Sequence, residues 1–218
     1  MKMKTIKTEK CLCVCCMEEH NVKTVAVRER LSFKGITVSY DAQYMYCDNA
    51  DELYANEKQM QENDISLKNA YRGAMGLLTR EEIIDIRNKY GITQTDLCKL
   101  LGWGGKTISR YEGHQVQDKA HDMILRKLDQ DPEWFLYLLN DQKNCISEES
   151  RQRCIEAVSR IYETNRDSNP WSILRTRIKD VQALMKSMKL SLEQALDALM
   201  IMDSERIIIS DHIQQNSK

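Results

Sequence analysis

Five of the eight cysteines lie between residues 11 and 50, in a pattern that is typical of metal ligands. Cys13 and Cys16 are separated by two residues, His20 follows four residues later, and Cys47 comes after two stretches that alternate like strands. Zinc in structural sites takes four nitrogen or sulfur ligands, and a Cys-x2-Cys turn followed by a ligand across a small sheet is a standard way to supply them. The pattern therefore predicts zinc as a cofactor, held by Cys13, Cys16, His20 and Cys47.

The identity of the fourth ligand is open at this stage. Cys47 is interpreted as the first cysteine of a second knuckle, whose expected partner is missing. His20 is the preferred replacement, and Cys11 and Cys15 are the substitutes. The alternative interpretation is a degenerate knuckle that binds no metal and has spare buried thiols. The other cysteines are expected to be small core residues on helices, and they are Cys98, Cys145 and Cys154.

A second group of residues, between 93 and 113, has the pattern of a helix-turn-helix. A small residue, Cys98, lies where the first helix must cross the second, and Ile108 and Tyr111 are apolar at a one-turn spacing that would hold the second helix. Basic and polar residues are left on the outside. Those that could contact DNA are Gln94, Thr95, Lys106, Thr107, Ser109 and Arg110.

The chemistry of these outer residues suits DNA. Arg110 and Lys106 can donate to guanine O6 and N7 in a major groove, while Gln94 and Ser109 suit phosphates. The alternative is an ordinary helical hairpin with a solvated polar face. We favour DNA binding because the helix cap, the small residue, the break at 102–105 and the basic outer face coincide.

Two stretches, Gln-x-x-Leu-x-x-x-Leu-Gly at 94–102 and Ile-Ser-Arg-Tyr-Glu at 108–112, resemble the Xre-type helix-turn-helix of phage repressors and antitoxins. A small zinc-binding module before such a domain is similar to the MqsA-type antitoxins, and the resemblance covers residues 11 to about 140. It implies a homodimer that binds a double-stranded DNA operator and represses its own gene, with Arg110 at the position of the family's base-contacting arginine. The chain departs from the family at Lys106, where the family has asparagine, and at Ala50, where it has cysteine.

The elements that must position these residues are predicted from periodicity and capping signals. Strands are predicted over 25–33 and 37–40, joined by a turn at Lys34–Gly35, with a third candidate strand at 44–46. Residues 49–75 are predicted to be a helix or a linker. Helices are then expected to begin near residues 79, 93, 106, 118, 132, 147, 171 and 191.

The predicted fold class is mainly α, with a small N-terminal β zinc-ribbon-like module, an Xre-type helix-turn-helix bundle and a helical C-terminal module. The content of only 2 prolines and 8 glycines favours helices over a sandwich or barrel with many tight turns. The expected domains are 1–75, 76–140 and 141–218. The last has a surface rich in Met and Leu at helical spacing, for which core packing is favoured over a groove for a partner.

The overall charge does not indicate a nucleic-acid partner, because the net charge is -1. Residues 1–40 have 8 Lys or Arg against 4 Asp or Glu, a net +4, whereas residues 41–78 have 3 against 7, a net -4. Any contact with DNA must therefore come from individual basic residues. No apolar run approaches the roughly 20 residues of a membrane-spanning helix, and no secretory signal is recognised, so a cytoplasmic location with reduced thiols is expected.

No arrangement of residues predicts catalysis. A phosphate loop, a nucleotide fingerprint and a hydrolase elbow are all missing from the sequence, so we do not expect an enzyme. The favoured function is a sequence-specific transcriptional repressor, acting as an autoregulating antitoxin that also neutralises a cognate toxin protein. The alternatives are a stand-alone regulator that responds to metal or redox state, and a protein-interaction adaptor whose helix-turn-helix no longer binds DNA.

Overall fold

The computed structural model describes residues 3–142, 144–164 and 169–215. In these ranges the chain is mainly α-helical, with a small antiparallel sheet at its N-terminal end. Contacts divide the chain into two compact units, Met1–Ile83 with Arg110–Asp122 and Ile84–Ser109 with Met123–Lys218. The expectation of a mainly α fold with an N-terminal β module is confirmed, and the division into three domains stays a prediction.

The sheet has four strands in chain order, each antiparallel to the next. Their bounds are β1 Met3–Leu12, β2 Glu19–Phe33, β3 Ile36–Cys47 and β4 Glu52–Tyr54. The turn between β2 and β3 is Lys34–Gly35, as predicted, and its residues have φ values of 48° and 80°. Positive φ at both positions is typical of the tight hairpin turns that match the twist of a sheet. The segments predicted at 37–40 and 44–46 are parts of the single strand β3.

The sequence pattern does not predict β1, and the burial of its side chains explains why. Almost every residue of this strand is exposed. A strand at the edge of a sheet with both faces in solvent has no alternation of apolar and polar residues to reveal it. Lysines such as Lys4 and Lys7 on this edge disfavour pairing with a further strand.

Helix α1, Glu57–Ala74, covers one face of the sheet. The buried residues that join helix and sheet are Val38, Tyr40, Ala42, Leu67 and Tyr71. The Asn63 side chain also bonds to both backbone groups of Gln43, at 2.7 and 2.9 Å, so the helix satisfies part of the open edge of β3. Asn56 and Gln59 form a capping box at the start of α1. The segment predicted as a helix or a linker is therefore a helix fixed to the sheet.

Shorter helices follow α1. They are α2 Arg80–Lys89, α3 Gln94–Leu100, α4 Thr107–Tyr111, α5 Lys119–Gln130 and α6 Pro132–Asp141. The caps predicted for them are present, since Thr93 Oγ1 accepts from the Asp96 amide at 3.0 Å and Asp131 Oδ1 accepts from the Trp134 amide at 2.9 Å. Such side chains satisfy backbone N–H groups that the first turn of a helix leaves free. This is why the helix starts were predictable.

The C-terminal helices pack around a core of leucine and isoleucine. They are α7 Glu148–Thr164, α8 Asn169–Met188, α9 Leu192–Ala198 and α10 Asp203–Gln215. Helix α10 was not predicted and packs against α6, α7 and α8. Leu196 is fully buried, whereas Met200 and Met202 are 89% and 56% exposed. Core packing therefore accounts for Leu196 in the predicted Met and Leu surface, and these two methionines face solvent.

The cysteines outside the N-terminal cluster behave as predicted with one exception. Cys98 and Cys154 are buried on helices. Cys145 is half-buried in the connection between α6 and α7, so the prediction that it lies on a helix is wrong. The reason is that α6 ends at Asp141, with Gln142 as its C-cap. Every helix in the described ranges is too short or too polar to cross a lipid bilayer.

Candidate metal centre and candidate nucleic-acid interface

Four potential metal ligands converge at one end of the sheet. Their ligand atoms all lie within 4.8 Å of one another, and the residues are Cys13, Cys16, His20 and Cys47. Cys13 and Cys47 are completely buried, and Cys16 and His20 are half-buried. The prediction that these four side chains come together is confirmed.

Strand register explains how the sheet brings them together. Side chains along a strand alternate between the two faces of a sheet. Tyr40 and Ala42 face α1, so Cys47 projects from the opposite face of β3. Met45 lies two residues before Cys47 and so projects from the same face, and its partner in β2 is Thr24. Because His20 lies four residues before Thr24, its side chain projects from this face as well. His20 therefore shares a face with Cys47, on the side away from α1.

The first turn of the site begins at Cys13, directly after β1. The Cys13 amide donates to the Glu18 carbonyl at 2.9 Å, and the Met17 amide donates to the Cys13 carbonyl at 2.8 Å. Met17 has a left-handed φ of 61°, which closes the turn. The amides of Cys15 and Cys16 donate to the Cys13 sulfur. Hydrogen bonds to sulfur stabilise the thiolate, which is the form that binds metal.

The second turn begins at Cys47, the last residue of β3. As in the first turn, backbone amides donate to the sulfur of its first cysteine. The amides of Asn49 and Ala50 donate to the Cys47 sulfur. The position that would provide the second ligand of this turn is occupied by Ala50. The Asn49 side chain reaches across to the first turn, where its Nδ2 lies 3.6 Å from Cys16 Sγ. The second turn therefore keeps the form of a knuckle and lacks one sulfur.

His20 supplies the fourth ligand atom of the group. Its Nδ1 lies 3.1 Å from the Asn21 carbonyl oxygen, and its Nε2 lies 3.6 Å from Cys47 Sγ. A carbonyl only accepts, so Nδ1 carries the proton and Nε2 presents its lone pair toward the sulfurs, as in many zinc sites. In a tetrahedral zinc site, metal bonds of about 2.1 and 2.3 Å separate a nitrogen from a sulfur ligand by about 3.6 Å. The observed separation fits that geometry.

The two substitutes considered for the fourth ligand lie outside the group of four. Cys11 pairs with His20 across β1 and β2 and packs against the cluster. Cys15 donates its thiol hydrogen to Glu52 Oε2 at 3.2 Å. This hydrogen bond, together with burial and the Glu52 charge, raises the pKa of the Cys15 thiol to about 12. Cys15 is thus held as a thiol that bonds to a carboxylate, and His20 is the fourth member of the group.

The charge state of the cluster suits a cation. Burial acts to raise the pKa of Cys13, but hydrogen bonds from the Cys16 amide and the Tyr54 hydroxyl outweigh it and lower the pKa to about 5. Burial raises the pKa of Cys47. One thiolate is thus stabilised beside a second sulfur that retains its proton. A metal ion would replace that proton and neutralise both sulfurs.

Sequence reasoning missed Tyr54, which completes the surroundings of Cys13. Its hydroxyl oxygen lies 3.6 Å from Cys13 Sγ, and Tyr54 packs against the buried cysteine cluster. Register places it there, because Tyr54 of β4 pairs with Met45 of β3. No spacing rule for metal ligands marks such a residue, since it acts on a ligand and does not bind metal itself.

The residues predicted to contact DNA are distributed along α3 and α4. Thr95, Lys106, Ser109 and Arg110 are exposed, while Gln94 and Thr107 are half-buried. Within the described part of the chain, neither Lys106 nor Arg110 takes part in an ion pair. The Ser109 hydroxyl donates its hydrogen to the Lys106 carbonyl at 3.0 Å, so this hydrogen is already used in a bond to the backbone.

Cys98 and Ile108 connect the two helices. Both are fully buried, and the Ile108 amide donates to Cys98 Sγ at 3.4 Å. Only a small side chain at position 98 allows backbone of the next helix to approach this closely. Gly102, with a φ of 65°, reverses the chain between the helices. The contact predicted at Cys98 is therefore present.

The fold and the cluster define a mainly α-helical protein whose N-terminal sheet has a Cys3His group that could bind a metal ion. No protein-family model matches the chain, and no curated protein or solved structure is significantly similar to it. The function must therefore be argued from these residues and their surroundings.

Proposed function

We propose that the chain is a sequence-specific DNA-binding transcriptional repressor with a zinc ion in its N-terminal module. The observation that carries this proposal is the pair of exposed cations on and just before α4, Lys106 and Arg110, which have no ion-pair partner among the described residues. Arg110 lies on this short helix and Lys106 directly precedes it, and the buried helix residue Ile108 is held against Cys98. A helix fixed in this way, with basic residues outward, has the form needed to enter a major groove.

The proposed contacts follow from the chemistry of each side chain. The planar guanidinium of Arg110 can donate two parallel hydrogen bonds to guanine O6 and N7, and Lys106 can donate to the same atoms as a point charge. Thr107 lies beside them at the start of α4. Gln94 and Thr95, at the start of α3, would meet phosphates together with the helix amides.

Zinc is the metal that best suits the Cys3His group. Three sulfurs and one imidazole nitrogen fill a tetrahedral shell, so the ion would have a structural role and no open position for a substrate. The residues that would hold it are Cys13, Cys16, His20 and Cys47. They join the ends of β1, β2 and β3, so the metal would fix this end of the sheet.

The resemblance to MqsA-type antitoxins extends the proposal to a cytoplasmic homodimer that represses its own gene and neutralises a cognate toxin, with no enzymatic activity. The neighbouring gene tests the toxin part. A small open reading frame that is toxic alone and harmless when co-expressed with this chain supports it. A neighbour without toxicity contradicts it.

DNA binding is tested with a duplex selected from a randomised library by the wild-type protein. Replacing Arg110 by Ala should weaken binding to the selected duplex by about 1 to 3 kcal/mol and leave binding to scrambled DNA nearly unchanged. Arg28, an exposed arginine of the sheet that pairs with Asp41, provides the control, because Arg28→Ala removes the same charge far along the chain. Titrations are compared at one salt concentration.

The outcome that contradicts the proposal is specific. If Arg110→Ala binds the selected duplex as tightly as wild type and melts at the same temperature, α4 does not contact the bases. If Arg28→Ala weakens binding as much as Arg110→Ala, the effect comes from overall charge and not from base contacts.

A further inference from the structure

Arg72, near the end of α1, is fully buried, with 0% of its surface exposed. Its Nε donates to Gln117 Oε1 at 3.0 Å, and Nη1 donates to Asn69 Oδ1 at 2.9 Å. Its Nη2 donates to the carbonyls of Tyr111 and Gln115, at 3.0 and 2.8 Å. All these acceptors are neutral oxygens. Among residues 3–142, 144–164 and 169–215, no carboxylate forms an ion pair with Arg72.

Packing alone does not explain a cation in this position. Taking a charged group out of water is costly, and an apolar residue of similar volume is often the more stable choice. The guanidinium differs from an apolar side chain in presenting five N–H groups in fixed directions. Four of its hydrogen bonds are made here. Arg72 is therefore suited to hold several oxygens in one geometry.

The oxygens that Arg72 holds belong to the segment that ends and follows α4. Tyr111 is the last residue of this helix, and it directly follows Arg110. The last carbonyls of a helix have no partner within the helix and need donors from elsewhere. A second arginine, Arg80 of α2, donates through Nε to the carbonyl of Glu112. Two arginines from preceding helices thus supply donors directly after Arg110.

Other hydrogen bonds make this arrangement rigid. Asn69 Oδ1 accepts from Arg72 and also from the backbone amide of Arg80, at 3.0 Å. Gln117 accepts from Arg72 and donates through Nε2 to the Leu78 carbonyl at 2.7 Å and to Asp122 Oδ1 at 3.0 Å. Buried polar networks in which each member has a partner fix one conformation.

We propose that Arg72, with Arg80, positions the C-terminal end of α4 so that Arg110 meets base edges. Arg72 is a positioning residue, because it is buried and cannot touch DNA itself. This inference rests on the proposed function. Base contacts depend on hydrogen-bond direction, whereas phosphate contacts tolerate displacement. Loosening this end of α4 should therefore reduce specific binding more than nonspecific binding.

The test measures affinity for the selected duplex and for scrambled DNA with the full chain. Arg72→Lys keeps the charge, but a single ammonium cannot span the four acceptors. We expect the ratio of specific to nonspecific affinity to fall about tenfold, the loss typical of one base contact, while scrambled DNA is bound as before. Arg80→Ala, at a half-exposed position, should lower the same ratio by a smaller factor.

Leu67→Ala is the control for lost stability. Leu67 is a buried residue of α1 in the core between helix and sheet, and it makes no hydrogen bond to the Arg72 network through its side chain. Its truncation should lower the Tm and leave the affinity ratio unchanged. A ratio that falls equally in Leu67→Ala, at a similar loss of Tm, would overturn the positioning role.

The remaining outcomes separate this inference from the proposed function. Wild-type protein that selects no duplex overturns both. If Arg110→Ala loses specificity while folded Arg72→Lys and Arg80→Ala bind like wild type, only the positioning role is overturned. Should Arg72→Lys fail to fold, Arg80→Ala decides: a reduced ratio supports the proposal and an unchanged one overturns it.

Discussion

The turns that begin at Cys13 and Cys47 have the same backbone design and different residues at their fourth positions. In each, two amides donate to the sulfur of the first cysteine, which is completely buried. The first turn adds Cys16 and the second has Ala50 at the equivalent position. A turn can therefore have a ligand-forming backbone without a second sulfur, because the backbone conformation does not depend on that side chain.

The difference also shows where a replacement ligand comes from. His20 lies on β2 and not in the second turn, yet its Nε2 is 3.6 Å from Cys47 Sγ. Its position is determined by the pairing of β2 with its neighbours, and its tautomer by the Asn21 carbonyl. The sheet thus supplies the fourth ligand that the second turn lacks.

The largest effect is expected when the first cysteine of either turn is removed. Wild-type protein should contain about one zinc per chain, and Cys13→Ser and Cys47→Ser should each reduce this to near zero and loosen residues 11–50. The reason is that each loses a buried thiolate ligand. Elemental analysis of freshly purified, reduced protein gives the zinc content, and amide exchange reports on the sheet.

Cys15→Ser is the matched control for these variants. Cys15 is in the first turn, but its thiol donates to Glu52 and is not among the four converging ligands. It should retain zinc. Full zinc content in Cys47→Ser would show that the second turn has no part in the site, and wild-type protein without metal would overturn the zinc proposal altogether.

A smaller effect is expected at His20, and it can be reversed. His20→Ala should weaken zinc binding less than the serine variants, because a half-exposed neutral ligand is lost and the three sulfurs remain. Adding Ala50→Cys should restore affinity by completing the second knuckle as a four-sulfur site. Competition with a chromophoric chelator measures both variants. If Ala50→Cys fails to restore binding in a folded double variant, the two turns are not equivalent in backbone form.

These turns also show what a sequence can reveal about a site. Residue type and spacing predict Cys13, Cys16 and Cys47, because a Cys-x2-Cys turn followed by a cysteine across a small sheet is typical of zinc sites. Spacing favours His20 over Cys11 and Cys15, and the convergence of the ligand atoms in the folded chain decides the choice. A residue that hydrogen-bonds to a metal ligand is brought there by strand register alone. Tyr54 is such a residue, so no sequence spacing reveals it.

The same limit applies to the fold. Helix starts are predictable where Thr93 or Asp131 provides a local cap. Strand β1 is not predictable, since its side chains are exposed on both faces. Arg72 resembles any other helical arginine in the sequence, and only the folded chain brings Tyr111, Gln115 and Gln117 around it. Long-range contacts of this kind leave no local pattern.

The smallest effect is expected at Tyr54, whose hydroxyl lies near Cys13. Cys13 has the Tyr54 hydroxyl as an additional neighbour at 3.6 Å, while Cys47 has the His20 ring. Tyr54→Phe keeps the ring that packs against the cluster and removes only the hydroxyl. Partners of metal ligands typically contribute about 10- to 100-fold in metal affinity, and a hydrogen bond at this length should lie at the lower end, about tenfold.

Zinc content at saturating metal should stay at about one per chain in Tyr54→Phe, because all four ligands remain. Tyr44→Phe is the matched control, since the Tyr44 hydroxyl donates to Glu29 at 2.6 Å on the face covered by α1. Chelator competition should therefore separate the two variants by about tenfold. Equal affinities would mean that the amides of Cys15 and Cys16 alone stabilise the Cys13 thiolate, which would make the two turns alike in this respect as well.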